Sequence, residues 1–190
     1  DEVIEPRATQ EEMTNFIETE LTESLKGLPT RTTQFGRFDK GLAYTILMKY
    51  YMHEKNWAKA EECGRELLKA EYGYGLMDRY ADIFTLENEG NKEIIFACTE
   101  ERGTNLQLWH DHALPGNYPT KNASIQKWDG YKVPWPFYRT FEEGDDRLSV
   151  LVGEYVGTDG VLFNEESDIA KHGNLYSGAV PVKYLSLIHI

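Results

Sequence analysis

Between residues 105 and 135, flat rings and planar polar side chains alternate: Asn105, Trp109, Asp111, Asn117, Tyr118, Trp128 and Trp135. That mixture suits a hydroxylated ring such as a sugar. The C–H face of the ring can rest on Trp or Tyr, and its hydroxyls can bond to Asn or Asp. Trp109, Tyr118 and Trp128 are the first candidates for stacking, with Trp135 next; Asn105, Asp111 and Asn117 are the candidates for hydroxyl bonding. The competing reading is that these rings pack the segment onto its neighbours, because Tyr and Trp are mostly buried in folded proteins. Pro134-Trp135-Pro136 leans toward packing, since it stands where the chain re-enters regular structure.

Other chemistries are weaker. His110-Asp111-His112 alternates as a ligand pair would, but a third ligand at defined spacing is missing, so no metal is expected. Asp145-Asp146 and Glu165-Glu166 are adjacent pairs, and adjacency does not create the separation that glycoside hydrolysis needs. No Ser-His-Asp or Cys-His order carries a local signature, and neither catalysis nor a cofactor is expected. The net charge of −12, from 20 basic and 32 acidic residues, repels phosphate backbones and argues against nucleic acid as a partner. Cys63 and Cys98 read as small buried hydrophobes, since two isolated cysteines make neither a disulfide framework nor a zinc site. No run approaches the roughly 18 apolar residues of a membrane span. Asn122-Ala123-Ser124 fits an N-glycosylation pattern that arises readily by chance.

The elements that must position the aromatic segment begin with helices. Thr9 and Glu12 make a capping box ahead of a helix over 9–26, with Met13, Phe16, Ile17, Leu21 and Leu25 on one face. A second helix over 39–53 turns Leu42, Ala43, Ile46, Leu47, Tyr50 and Tyr51 inward. Asn56 caps a third over 57–70, whose face carries Trp57, Ala60, Cys63, Gly64, Leu67 and Leu68. The short connection at 53–56 makes a helical hairpin. It resembles a tetratricopeptide repeat at Tyr44, Leu47, Tyr51, Trp57 and Ala60, but Met48 and Leu67 stand where small residues are usual. An acidic turn at 86–91 leads to a strand-like apolar run, 93–96, and then to the irregular segment. A short helix over 137–141, a turn at 142–147, strands over 148–156 and 161–163 and a final extended segment follow. The expected fold is mainly α, with tetratricopeptide-like helical hairpins, an irregular loop-rich region and short β-strands.

One ordered set of short motifs runs along the chain. It comprises Arg7-Ala8-Thr9, Leu28-Pro29, Tyr74, Leu76, Tyr80-Ala81-Asp82-Ile83-Phe84, Asn88, Asn91, Glu93-Ile94-Ile95-Phe96, Phe141, Asp145, Arg147 and Lys183-Tyr184. In order and spacing this set resembles the SusD/RagB family, the glycan-capturing outer-membrane lipoproteins of Bacteroidota. The resemblance implies a non-catalytic protein that binds glycans or oligosaccharides at the cell surface. It implies anchorage by a lipidated N-terminal Cys absent from this fragment, and delivery to a SusC-like TonB-dependent transporter. It further implies a partial domain: helices over 9–70, a connector and strand over 71–98, and a loop-rich glycan-binding region over 99–184. Residues 185–190 read as an artefactual tail. Two alternatives from other classes are a tetratricopeptide-type module docking on a membrane partner and a glycoside hydrolase fragment.

Overall fold

A computed structural model describes residues 7–99, 108–121, 123–171 and 173–183. The chain divides into two compact units. The first holds the residues up to Leu76 together with Lys92–Thr99; the second holds Met77–Asn91 and the residues after Thr99.

In the first unit, helix α1 (Gln10–Gly27) starts at the capping box read from the sequence. Thr9 Oγ1 accepts from the Glu12 amide at 3.2 Å and the Glu12 carboxylate accepts from the Thr9 amide at 2.8 Å. The hydrogen bond from the Thr9 amide holds the Glu12 carboxyl below its ordinary pKa. Helix α2 (Lys40–His53) is capped by the buried Asp39, whose carboxylate accepts from the amides of Leu42 and Thr32. Helix α3 (Trp57–Leu67) is capped by Asn56.

These helices meet in a cluster of Leu47, Tyr51, Ala60 and Cys63, with Leu21, Leu25, Tyr44 and Met48 packed around it. Met48 packs across the seam against α3, its sulfur 3.5 Å from where a Cβ on Gly64 would stand, an ordinary contact distance. Side-chain bonds tie α1 to the hairpin: Tyr50 Oη donates to Thr14 Oγ1 at 2.7 Å, Gln10 Nε2 donates to Glu54 Oε2 at 3.2 Å, and Lys59 pairs with Glu18 at 3.0 Å. The C-terminal half of the α1 stripe packs, while Met13 and Phe16 stay exposed. Trp57, expected to face inward, is exposed; it occupies the first position of α3, beside the turn and away from the seam of Ala60 and Cys63.

Helix α3 ends earlier than expected, and a 3-10 turn at Ala70–Tyr72 follows it. Tyr72 is fully buried, edge-on to Tyr44 and stacked on Tyr74, and burial raises the pKa of its phenol. Arg31 lies over the Tyr74 ring at 4.8 Å and donates to the Tyr72 carbonyl at 3.0 Å.

The run 93–96 is not a strand. It passes through turn and bend, with Phe96 packed on Phe38 at 5.6 Å. No described strand pairs with it, and an extended run without a partner row has no ladder to stabilise it. Cys98, expected to be buried at the end of that strand, is exposed for the same reason; Cys63 is buried as expected.

In the second unit, 3-10 turns at Tyr80–Phe84 and Leu86–Asn88 precede α4 (Trp109–Ala113), β1 (Val133–Pro134) and α5 (Trp135–Tyr138). A 3-10 turn at Asp146–Val150 leads into β2 (Leu151–Val152), β3 (Glu154–Val156), β4 (Leu162–Asn164), α6 (Glu165–Lys171) and β5 (Gly178–Pro181). Strand β5 is the buried centre of a three-stranded sheet, antiparallel to β1 through Val133↔Ala179 and to β2 through Val152↔Val180. Strands β3 and β4 form a hairpin in which the Tyr155 and Phe163 rings stack at 5.2 Å. Ala113, Leu114, Tyr118, Trp135, Leu175 and Val180 form much of the core.

The segment 148–156, expected as one strand, is a 3-10 turn followed by two short strands separated at Gly153. Helix α6 was not anticipated. Its signal is present in Asn164-x-x-Ser167: Asn164 Oδ1 accepts from the Ser167 amide at 3.0 Å, and Ser167 Oγ accepts from the Asn164 amide at 3.3 Å. Acidic residues fill its first turn and Lys171 its last, as the helix dipole favours. Among the described residues no helix is long and apolar enough to cross a membrane.

Candidate functional site

The segment that carries the candidate residues is more ordered than its composition suggests. Residues 126–131 are clamped against α4 by backbone bonds: Trp128 N to Asp111 O at 2.5 Å, Asp129 N to Leu114 O at 3.0 Å, and the amides of Gly130 and Tyr131 to His112 O at 2.6 and 2.8 Å. The Asp111 carboxylate, itself buried, accepts from the Gln126 amide at 2.5 Å. Lys127 and Asp129 both adopt positive φ, which bends the strap tightly enough to make these contacts.

The clamp gathers four rings. Trp109 lies 5.1 Å from Tyr131, Tyr131 lies 5.1 Å from His112, and His112 meets Trp128 edge-on at 4.7 Å. Trp109 is anchored from behind, with Nε1 donating to Pro181 O at the end of β5. Trp128 is 51% exposed and Tyr131 42%, so this cluster shows open aromatic surface on a fixed backbone. Lys132 pairs with Asp129 at its edge.

The other candidates occupy different positions. Tyr118 and Trp135 sit in the core, 9% and 6% exposed. Trp135 Nε1 donates to Leu175 O at 2.9 Å, and burial raises the pKa of the Tyr118 phenol. The expectation that they present open stacking faces is corrected by this burial. Asn117 serves the scaffold: its Oδ1 accepts from Tyr155 Oη at 2.8 Å and from Asn174 Nδ2 at 2.6 Å. Burial pushes the pKa of the Tyr155 phenol up to about 12, against a smaller lowering by Asn174. Asp111 is a structural acceptor under the strap. Asn105 lies outside the described residues, as does Asn122. Trp109 and Trp128 are among the residues the sequence singles out, whereas Tyr131, three residues after Trp128, and the role of His112 are not; for Tyr131 the available signal was its place in the same aromatic segment, and for His112, sixteen residues before Trp128, there was none.

Among the described residues no three of His, Cys, Asp and Glu gather in a way that could hold a metal ion. His110 is buried with its Nε2 3.1 Å from Lys183 O, which requires that nitrogen to be the protonated donor. The Asp145–Arg147 turn braces itself through a 2.5 Å ion pair, with Arg147 over the Phe141 ring. A separate open groove of about 720 Å³ lies between α5 and the β3–β4 hairpin, lined in part by Tyr138, Glu154 and Glu166.

No protein-family model matches the chain, and no curated protein matches it. Solved structures do. A SusD superfamily protein from Bacteroides vulgatus aligns with a TM-score of 0.64 at 18% identity, covering 93% of this chain and 38% of that one. A SusD-like protein from Bacteroides fragilis aligns at 0.58 and 23% identity, covering 74% of this chain and 28% of the other. Surface glycan-binding protein A from Bacteroides thetaiotaomicron, solved in complex with laminarihexaose, aligns at 0.59 and 19% identity, covering 85% of this chain and 36% of its own. The chain therefore has a SusD-like, mainly α fold and spans about a third of the length of these structures.

Proposed function

We propose that this SusD-like chain is part of a non-catalytic surface protein that captures oligosaccharides on the Trp128–Tyr131 face and passes them to a SusC-like TonB-dependent transporter. The observation that carries the reading is the pair of half-open rings, Trp128 and Tyr131, held on a strap that five hydrogen bonds to α4 and the residue after it keep in place. Rings fixed in advance lose little entropy on stacking against a sugar. A laminarihexaose complex of a protein sharing the fold gives the ligand class independent support. On this reading Trp128 and Tyr131 stack, Trp109 and His112 support them from behind, and Asp111 fixes the strap. Tyr118, Trp135 and Asn117 hold the scaffold beneath. Location at the outer-membrane surface, a lipid anchor and the transporter partner belong to the same proposal.

The test is calorimetric titration with laminarihexaose, maltohexaose and cellohexaose, with each mixture then assayed for reducing ends. Binding to at least one hexaose without release of reducing ends is expected. Turnover of any of them, or no binding to all three by a folded chain, refutes the reading.

A further inference from the structure

Trp128 stands between two residues with left-handed backbone: Lys127 has a φ of 27° and Asp129 a φ of 56°. Aspartate visits this region with modest difficulty, because its short polar side chain can bond locally. Lysine has no such option, and its φ falls short of the left-handed well at about +57°. A Cβ in that conformation crowds the neighbouring carbonyl, so Lys127 keeps it only because the surrounding structure holds it there. Exposure alternates along the strap: Gln126, Trp128 and Gly130 are exposed, while Lys127 and Asp129 are half-buried. The two left-handed residues thus turn their side chains inward and leave the indole between them outside.

The holding group at position 127 is the side chain itself. The amides of Gln126, Trp128, Asp129, Gly130 and Tyr131 donate to α4 or to the residue after it. Lys127 adds a bond of a different kind, its Nζ donating to the Tyr118 carbonyl at 2.7 Å. Tyr118 is buried in the core around β5, so this tether ends on a rigid part of the unit. A hydrogen bond from a charged donor is roughly twice as strong as a neutral one. Asp129 is held in the same manner by Lys132, whose side chain is only 10% exposed.

We propose that Lys127 is a positioning residue for the stacking face. Its ammonium, bonded to the Tyr118 carbonyl, keeps position 127 left-handed and so sets the orientation of Trp128 before a ligand arrives. Lys127 acts through Trp128 rather than by touching the sugar. The inference rests on the reading of Trp128 as a stacking ring, and on the geometry at Lys127 alone for the tether.

Lys127→Ala, Lys127→Gly and Lys127→Arg separate the tether from the backbone strain. Two quantities are read on variants whose far-ultraviolet circular dichroism matches the parent. One is hexaose affinity by calorimetry. The other is the ligand-free fluorescence anisotropy of Trp128, taken as the difference from the same variant carrying Trp128→Phe. Lys127→Ala cuts the tether and keeps a Cβ that disfavours the conformation. It should lower the Trp128 anisotropy and weaken hexaose binding about three- to tenfold, the cost of ordering one mobile side chain on binding. Lys127→Gly also cuts the tether, but glycine adopts positive φ without steric cost, so it should retain more of both signals than Lys127→Ala. Lys127→Arg restores a charged donor and should approach the parent in both. Three results overturn the inference: Lys127→Ala indistinguishable from the parent, Lys127→Gly below Lys127→Ala, or affinity lost with the ligand-free anisotropy unchanged, the mark of a lysine that touches the sugar. If the parent binds no hexaose, the glycan reading fails, and the ligand-free anisotropy of the three variants still decides the role of Lys127.

Discussion

Trp128→Ala separates the stacking face from the core that supports it. A tryptophan side chain presents about 250 Å², and Trp128 is 51% exposed, so roughly half of that surface is open to a ligand. A sugar resting on one side covers about half of the open part, about 60 Å², which at ~25 cal/mol per Å² contributes about 1.5 kcal/mol. The expected loss is therefore about tenfold in Kd for whichever hexaose binds. The melting temperature should fall only slightly, because the ring's packing contact of note is the edge-on one with His112 at 4.7 Å. Trp135→Phe gives the opposite pattern. It removes the bond to Leu175 O inside the core and should cost about 1–3 kcal/mol of stability, with hexaose affinity kept at temperatures where the variant is folded. Calorimetric titration paired with thermal melts reads both quantities on the same samples. A folded Trp128→Ala variant that binds every hexaose as the parent does would refute the placement of the site.

Three further outcomes follow from the scaffold. Gly41→Ala places a methyl onto the Tyr74 hydroxyl and 2.8 Å from its Cζ, and should destabilise by about 1–3 kcal/mol through overpacking; Tyr74→Phe, which removes a hydroxyl with no hydrogen-bond partner among the described residues, should rescue part of that loss in urea unfolding. Gly64→Ala meets only the Met48 sulfur at ordinary contact distance, so the helix gain of about 0.5–1 kcal/mol should appear as a higher urea midpoint. Burial raises the pKa of Tyr155 to about 12, which favours the neutral phenol in the folded state. Its contribution is fully present below the unfolded value of about 10 and is lost as pH rises from there through about 12, so Tyr155→Phe should flatten the alkaline fall in stability over that window.

The helical half of the protein was legible because its signals are local. Thr9 with Glu12 and Asn56 satisfy amides within three residues of themselves and cap helices where the sequence placed them, and Asp39 caps the helix whose start the sequence set at that residue. Periodicity found the faces that bury Leu47, Tyr51 and Ala60. It failed at Trp57, where the face of a helix and the seam it packs into diverge at the first turn. The 93–96 run had the composition of a strand, but strand formation needs a neighbour, and composition does not carry one. Helix α6 had a reciprocal Asn164–Ser167 cap that went unread in a polar stretch.

The residue types of the candidate site were set by the sequence: an alternation of rings and planar polar groups over 105–135, on a chain whose motif order pointed to a SusD-like fold. The tertiary structure decided which of those residues are available. Tyr118, Trp135 and Trp128 are alike in composition, yet two fill a core around β5 and one stands half open. The difference arises from backbone bonds between the strap and α4, made by residues fifteen or more positions apart, and the chain between them carries no local signal of that pairing. The groove of Tyr138, Glu154 and Glu166 likewise exists only because the β3–β4 register brings distant carboxylates to one wall. Side-chain chemistry is a property of sequence, whereas exposure and convergence are properties of long-range packing.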